Sequence, residues 1–233
     1  MRTAILGLAA LSGAVSLALA TPAMAGPFTV NDIELPYNDT LTINGPASGT
    51  GYIGQQVLTT SIGTIDAWCI DIYHDDQVGG GQDVAFVTGP ITTNNATPIA
   101  VALTDDQITK IRGLINYGDA LLANPHTASN DVSAAIQLAI WQVEYPTFTY
   151  QGNATLDGLI ANYLTVVNDP QQAALYGGNV IALISLQGTQ TLVTADPALV
   201  PEPASMALLG AGLLGLAASR RRKGPVSGKH PAA

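Results

Sequence analysis

The chain contains one cysteine, Cys69, and a thiol is a side chain that can form new covalent bonds. Cys69 lies in the segment IDAWCIDIYH, residues 65–74, whose alternation predicts a strand. One face of that strand would carry Ile65, Ala67, Cys69, Asp71 and Tyr73, and the other Trp68, Ile70 and Ile72. A single cysteine excludes an internal disulfide and a zinc site built from several thiolates. Free cysteine is often only a small buried hydrophobe, so thiol chemistry requires a partner.

A glutamine on a predicted helix is the candidate partner. Residues 129–131 offer an N-cap, apolar residues then repeat at helical spacing from 132 to 143, and Pro146 ends the run. On this helix Ser133, Gln137, Trp141 and Glu144 would share one side, because they are spaced by three or four residues. Gln137 is therefore predicted at the border of the core, beside an aromatic ring. The competing interpretation is an ordinary surface glutamine.

Two other kinds of site use the same region of the sequence. A cysteine peptidase would pair Cys69 with His74 or His126, but the acidic residues around Cys69 disfavour a thiolate there, and a continuous strand would turn His74 to the opposite face. A calcium site would use the acidic, glycine-rich segment from Asp71 to Asp83, whose spacing matches no EF-hand. We predict no metal, no cofactor and no enzymatic turnover.

The elements that would position Cys69 and Gln137 follow one another as strands, then helices, then strands. Strands are predicted at 28–35, 40–44, 51–60, 64–73, 82–88, 179–186 and 190–194. Helices are predicted at 108–118, 132–143 and 155–167, the first after a capping box at Thr104 to Gln107 and weakened at its end by Gly118. This order predicts an α+β fold, a β-sandwich or barrel with an inserted small helical bundle, formed as one domain by residues 26–199.

The combination of these motifs resembles the bacterial thioester domain, a family of surface proteins. The resemblance lies in Trp68-Cys69-Ile70-Asp71, in the helix at 108–118 with its Tyr117-Gly118, and in the run IQLAIW at 136–141. It spans about residues 51–186 and implies an internal bond between the side chains of Cys69 and Gln137, formed with loss of ammonia. Trp68, Trp141 and Tyr117 would shield this bond from water. An amine or another nucleophile on a target surface would then attack it.

Charge and composition exclude several classes of protein. The segment 26–199 has 16 acidic residues and two cationic ones, Lys110 and Arg112, and hence a formal charge of −14. That charge argues against binding to nucleic acid, which requires a basic surface. Hydrophobic residues make up 47% and charged residues 11% of the chain, which is not the composition of a disordered acidic tail.

The first 25 residues are predicted to be a secretory signal peptide. Arg2 supplies the positive start, residues 4–19 are small and apolar, and Ala23-Met24-Ala25 is a small-x-small cleavage site. The mature chain would then begin at Gly26.

The C-terminal region combines three signals within residues 200–223. Pro201-Glu202-Pro203 is followed by an apolar run at 204–218, a predicted short membrane helix, and then by the cluster Arg220, Arg221, Arg222 and Lys223. This arrangement resembles the PEP-CTERM sorting signal of exosortase substrates, although a tail at 224–233 extends beyond it. The resemblance implies a Gram-negative bacterium that makes exopolysaccharide. It also implies a precursor anchored in the inner membrane, processing by exosortase, and a final place on the cell surface or in the extracellular matrix.

Two functions fit these signals. The first is covalent adhesion through a Cys69–Gln137 thioester. The alternative is a passive structural component of an extracellular polysaccharide matrix or biofilm, with no such bond.

Overall fold

The computed structural model describes residues 27–75, 83–92 and 102–195, all of them within the unit Met24–Pro203. The predicted signal peptide, sorting signal and tail lie outside the described residues. The described strands are β1 (Phe28–Glu34), β2 (Asn38–Gly45), β3 (Gly49–Gly54), β4 (Gln56–Thr60), β5 (Gly63–Cys69), β6 (Val84–Gly89), β7 (Thr149–Gln151), β8 (Ile181–Ser185) and β9 (Leu192–Thr194). The described helices are α1 (Asp105–Leu122), α2 (Asn130–Glu144), α3 (Ala154–Asn168) and α4 (Pro170–Leu175).

Six of the strands close into a barrel in the order β1-β4-β5-β9-β8-β6. Every neighbouring pair is antiparallel. The strands are rich in β-branched residues, and inward side chains such as Val30, Leu58 and Leu183 are fully buried. Of the two architectures predicted from the sequence, the barrel is the one found, and the helices are inserted between β6 and β8 as expected.

A separate sheet of three strands, in the order β3-β2-β7, was not predicted. The sequence indicated one strand over 51–60, but the chain changes sheets there, and β3 and β4 are different strands. The change occurs at Gln55, whose backbone N–H donates to the hydroxyl of Ser133 on α2 at 2.8 Å. The two strands are therefore fixed to different parts of the fold.

The helices begin where the sequence predicts caps. Thr104 and Gln107 form a capping box at α1, and the side chain of Ser129 accepts from the N–H of Val132 at α2. The expectation that Gly118 weakens the end of α1 is wrong, because the helix continues to Leu122. A Cβ at Gly118 would lie 2.8 Å from Ile136 and 2.9 Å from Trp68. The glycine lets α1 approach both α2 and the end of β5.

Helix α2 occupies the centre of the helical layer. It packs between α1 and α3 and also contacts β2 and β3. Ten of its fifteen residues are buried, among them Ser133, Gln137 and Glu144. The prediction that Gln137 lies at the border of the core is therefore wrong, because neighbouring elements cover the polar side of the helix as well. Among the described residues no helix is long and apolar enough to cross a membrane.

Candidate functional site

Cys69 is the last residue of β5 and pairs with Leu192 of β9. Its side chain and that of Trp68 are both buried, so both faces of this strand end are covered. The predicted strand to Tyr73 is wrong, because the chain turns directly after Cys69. The backbone N–H of Asp71 donates to Cys69 Sγ at 3.2 Å, and the thiol donates to the carbonyl of Asp71 at 3.1 Å. This turn encloses the sulfur.

The side chain of Gln137 reaches from α2 to the backbone of Cys69. Its Oε1 accepts from the N–H of Cys69 at 2.9 Å, and its Nε2 donates to the carbonyl of Cys69 at 2.8 Å. Gln137 is 1% exposed, and 68 residues separate it from Cys69 in the sequence. The amide carbon, Cδ, lies between the two bonded atoms and is therefore beside Cys69.

The orientation of the Gln137 amide follows from its partners. A backbone N–H can only donate and a backbone carbonyl can only accept, so Oε1 must face the first and Nε2 the second. The N–H of Cys69 is then placed to stabilise negative charge on Oε1, as oxyanion-hole donors do. The N–H of Asp71 is placed in the same way to stabilise charge on Cys69 Sγ. The site thus holds the Gln137 amide against the backbone of the residue that bears the thiol, with one backbone N–H directed at Oε1 and another at Sγ.

Asp71 connects this site to its surroundings. It is 1% exposed, and its carboxylate accepts from the N–H of Tyr73 at 3.0 Å and lies 2.7 Å from Nδ1 of His74. The carbonyl of Asp71 also accepts from Nε2 of Gln190 at 3.2 Å. From the sequence, Asp71 is part of the motif at 68–71, one of the acids near the thiol and a possible calcium ligand, but these contacts were not predicted. The pairing of His74 with Asp71 follows from the turn, which a continuous strand would not allow.

Glu144 is a second acid that sequence reasoning did not assign to the site. It is 1% exposed on α2, two turns beyond Gln137. Burial raises the pKa of its carboxyl well above the usual value, and the charge of Asp71 acts in the same direction, while a hydrogen bond with Tyr145 opposes both. The signal available in the sequence was the spacing of Glu144 from Gln137 and Trp141, because that spacing puts its carboxyl on the same side of the helix as Gln137.

Replacing Glu144 with glutamine should change how stability depends on pH. The folded-state pKa lies above the usual carboxyl value of 4.5, so the contribution of Glu144 to stability is fully present below that value and is lost as pH rises through the folded-state pKa. Glu144→Gln has no such titration. The melting temperature of the variant relative to wild type should therefore increase from about pH 4.5 upward. Glu34→Gln, on the exposed end of β1, is the matched control, and identical pH profiles for both variants would contradict the assignment.

The three predicted shielding residues occupy different places. Trp68 is fully buried and donates from Nε1 to Asp119 at 2.8 Å. Trp141 is 5% exposed and packs against Phe148. The ring of Tyr117 contacts Tyr163 and Tyr176, on the side of α1 that faces α3 and α4.

The structure gives less support to the two alternative sites, the cysteine peptidase and the calcium site. His126 lies in the exposed loop between α1 and α2, where its N–H donates to Asn124. The part of the chain that the structure describes contains no cluster of three or more histidine, cysteine or acidic residues suited to a metal. Most of the proposed calcium segment, residues 76–82, lies outside that part.

The C-terminal segment matches the model of a known sorting motif. Residues 199–223 match the PEP-CTERM protein-sorting motif. This match confirms the predicted PEP-CTERM sorting motif. Its predicted bounds of 200–223 and the roles of Pro201, Glu202 and Pro203 and of Arg220, Arg221 and Arg222, all within the matched range, stay predictions. A PEP-CTERM motif implies export and processing by exosortase.

The fold can also be compared with solved structures. The N-terminal thioester domain of fibronectin-binding protein SfbI from Streptococcus pyogenes is similar at 12% identity and a TM-score of 0.39, covering 69% of this chain and 93% of that one. The N-terminal domain of the Streptococcus pyogenes pilus tip adhesin Cpa is similar at 12% identity and a TM-score of 0.41, covering 69% of this chain and 92% of that one. No curated protein matches the chain. An identity of 12% is too low to carry a function over.

Proposed function

We propose that the chain is an exported surface protein in which Cys69 and Gln137 form an internal thioester that captures nucleophiles on a target surface. The observation that carries the proposal is the buried Gln137 amide, held by both of its polar atoms against the backbone of Cys69. An ordinary core glutamine needs hydrogen bonds, but it does not need them beside the chain's one thiol.

Bond formation would proceed by addition and elimination at the amide carbon of Gln137. Cys69 Sγ, as thiolate, attacks Cδ, and the negative charge that develops on Oε1 faces the N–H of Cys69. The C–N bond then breaks, and Nε2 leaves as ammonia with the thiol proton. An amide is a poor electrophile, so the fixed geometry supplies most of the assistance.

Capture of a target would break the bond between Cys69 Sγ and the acyl carbon of Gln137, with the sulfur now as the leaving group. An amine attacks the acyl carbon, the C–S bond breaks, and Cys69 takes the proton while Gln137 stays joined to the target through an amide. The thioester must survive until then, and the burial of Cys69, Trp68 and Gln137 keeps water from it. Because the acyl group is not released, the site acts once and is not an enzyme.

The sorting motif supports an exported location for the protein. We propose that the chain is anchored in the inner membrane of a Gram-negative bacterium before exosortase processes it, and that it then reaches the cell surface or the matrix. Covalent adhesion would take place there. A passive matrix component would use the same route without the bond, so the two functions differ only at Cys69 and Gln137.

The intact mass of the freshly purified chain should be lower, by the mass of one ammonia, than the mass calculated for the same chain with a free thiol and an intact Gln137 amide. Adding methylamine should raise the mass by one methylamine and release one thiol, measured with a thiol reagent before and after treatment. The reason is that only an acyl–sulfur bond reacts with a dilute amine under mild conditions. A full mass with a free thiol from the start, in folded protein, would favour the passive matrix component.

A further inference from the structure

A cleft of about 440 Å³ opens beside the Cys69–Gln137 site. Three of its lining residues are immediate neighbours of that site. Trp141 lies one turn beyond Gln137 on α2, and Ile72 follows Asp71. Gln190 donates to the carbonyl of Asp71, the same carbonyl that accepts from Cys69 Sγ. Cys69 and Gln137 are buried and are not among the described lining residues of the cleft, so a bound group could approach the acyl carbon when one of these three side chains moves aside.

The side-chain amides of Gln190 and Gln56 form a chain of hydrogen bonds that ends at the carbonyl of Asp71, and the direction of each bond is fixed. The Asp71 carbonyl can only accept, so Nε2 of Gln190 must face it. Oε1 of Gln190 then accepts from Nε2 of Gln56 at 2.7 Å. This leaves Oε1 of Gln56, on a residue that is 7% exposed, as an acceptor without a partner among the described residues. Gln56 lines the cleft, and this amide oxygen is buried within the wall, where a small shift of the side chain would let a ligand donate to it.

The wall of the cleft also includes a buried donor that needs an acceptor. Within the part of the chain that the structure describes, Nε1 of Trp141 has no hydrogen-bond partner, and Trp141 is 5% exposed. A buried polar group without a partner is unfavourable, so a ligand that satisfies both atoms would be favoured. An ammonium ion has donors only and would leave the indole N–H unpaired, and a neutral amine that accepts from the indole has no lone pair left for attack. A hydroxyl has one donor and two lone pairs, so it can meet either group and keep a lone pair for attack.

The remaining lining suits a polyhydroxyl compound. Ile43, Ile53 and Ile72 supply apolar surface, and Tyr52, which is 64% exposed, presents an aromatic ring at the rim. Asp75 is the single charged residue among the described lining residues, and it lies on the exposed side. Sugar rings combine apolar C–H faces with hydroxyls, which is the combination that this lining offers.

We propose that the cleft binds a saccharide and that a hydroxyl of the bound sugar is the nucleophile captured at Gln137. The second half of this proposal rests on the proposed function. The hydroxyl oxygen attacks the acyl carbon, the C–S bond breaks, and the hydroxyl proton passes to Cys69 Sγ. The product is an ester between Gln137 and the sugar, together with a free thiol.

The test compares two nucleophiles on the same protein. The purified chain is incubated with glucose or with methylamine, and each adduct is measured by mass; mild base releases the glucose ester but not the methylamide. Tyr52→Ala removes the exposed ring. Gln56→Met removes the free acceptor and also the donor to Gln190, while keeping the side chain's approximate shape. Each should lower the ratio of glucose adduct to methylamine adduct about 3- to 10-fold, the effect of one hydrogen bond or ring contact. Ile62→Ala, exposed on the β4–β5 turn, should leave the ratio unchanged.

The outcomes separate the two proposals. A methylamine adduct without a glucose adduct, or an equal ratio in all variants, overturns the saccharide proposal and leaves the thioester standing. If no mass deficit and no adduct form at all, the thioester fails. Saccharide binding by itself is then tested with the Cys69→Ala variant, whose tryptophan fluorescence is measured as maltotriose is added. Saturable binding that Tyr52→Ala weakens would support the cleft, and an unchanged signal would overturn it.

Discussion

Gln137→Glu is expected to lose methylamine capture completely while keeping the fold. A carboxyl group has no ammonia to lose, so the acyl–sulfur bond cannot form by the same route. In its protonated form the carboxyl matches the amide atom for atom, because its O–H donates to the carbonyl of Cys69 and its C=O accepts from the N–H. We therefore expect full mass, a free thiol and no adduct, with a loss of about 1–3 kcal/mol in stability.

Two further variants make this result decisive. Cys69→Ala should also form no adduct, since it removes the nucleophile and leaves Gln137 hydrogen-bonded to the backbone. Gln142→Glu, on the same helix but only partly buried, should retain the mass deficit and the reaction with methylamine. Circular dichroism establishes that each variant is folded. An adduct at Gln137 in the Cys69→Ala protein would contradict the mechanism.

Gly54→Ala is expected to destabilise the fold strongly. A Cβ at Gly54 would lie 2.3 Å from the carbonyl oxygen of Tyr37 and 2.8 Å from Oγ of Ser133. The carbonyl belongs to the backbone and cannot rotate away, so strands or helix must shift, at a cost of about 1–3 kcal/mol. Ser133 lies one turn before Gln137, and displacing it should also lower the fraction of protein with a mass deficit.

The same strand provides the control for this variant. A Cβ at Gly51 would meet nothing within 4 Å, so Gly51→Ala should be close to neutral. Denaturant unfolding of both variants gives the difference in the free energy of unfolding. If the two alanine variants unfold at the same denaturant concentration, the close approach at Gly54 does not constrain the fold.

The order of elements was predictable because it depends on local patterns. The capping residues Thr104 and Ser129 and the helical spacing of α2 are signals within a few residues of one another. β7, with three residues, and α4, with six, are too short to give such a pattern. The division of 51–60 into two strands depends on Ser133, which is 78 residues from Gln55. No local pattern in that segment reports such a contact.

The candidate site divides in the same way. Cys69 and Gln137 were found together by resemblance to a family, because nothing in their own segments relates them. Gln190 is 119 residues from Asp71 and 134 from Gln56, and only the closure of the barrel brings these side chains into one cleft. The sequence could indicate which residue types were available for chemistry, but their hydrogen-bond partners are determined by long-range topology.

The place of β9 in the barrel has a mechanical consequence. In the proposed adhesive contact, Gln137 is joined to a target and the segment after β9 is joined to the cell surface. Tension between target and cell would then pass from α2 to the end of β9. β9 has three residues, but it lies between β5 and β8 and pairs with both. Pulling along β9 would therefore load two rows of hydrogen bonds in shear, so that they resist together instead of opening one at a time. The closed barrel would then set the force at which the adhesive contact fails.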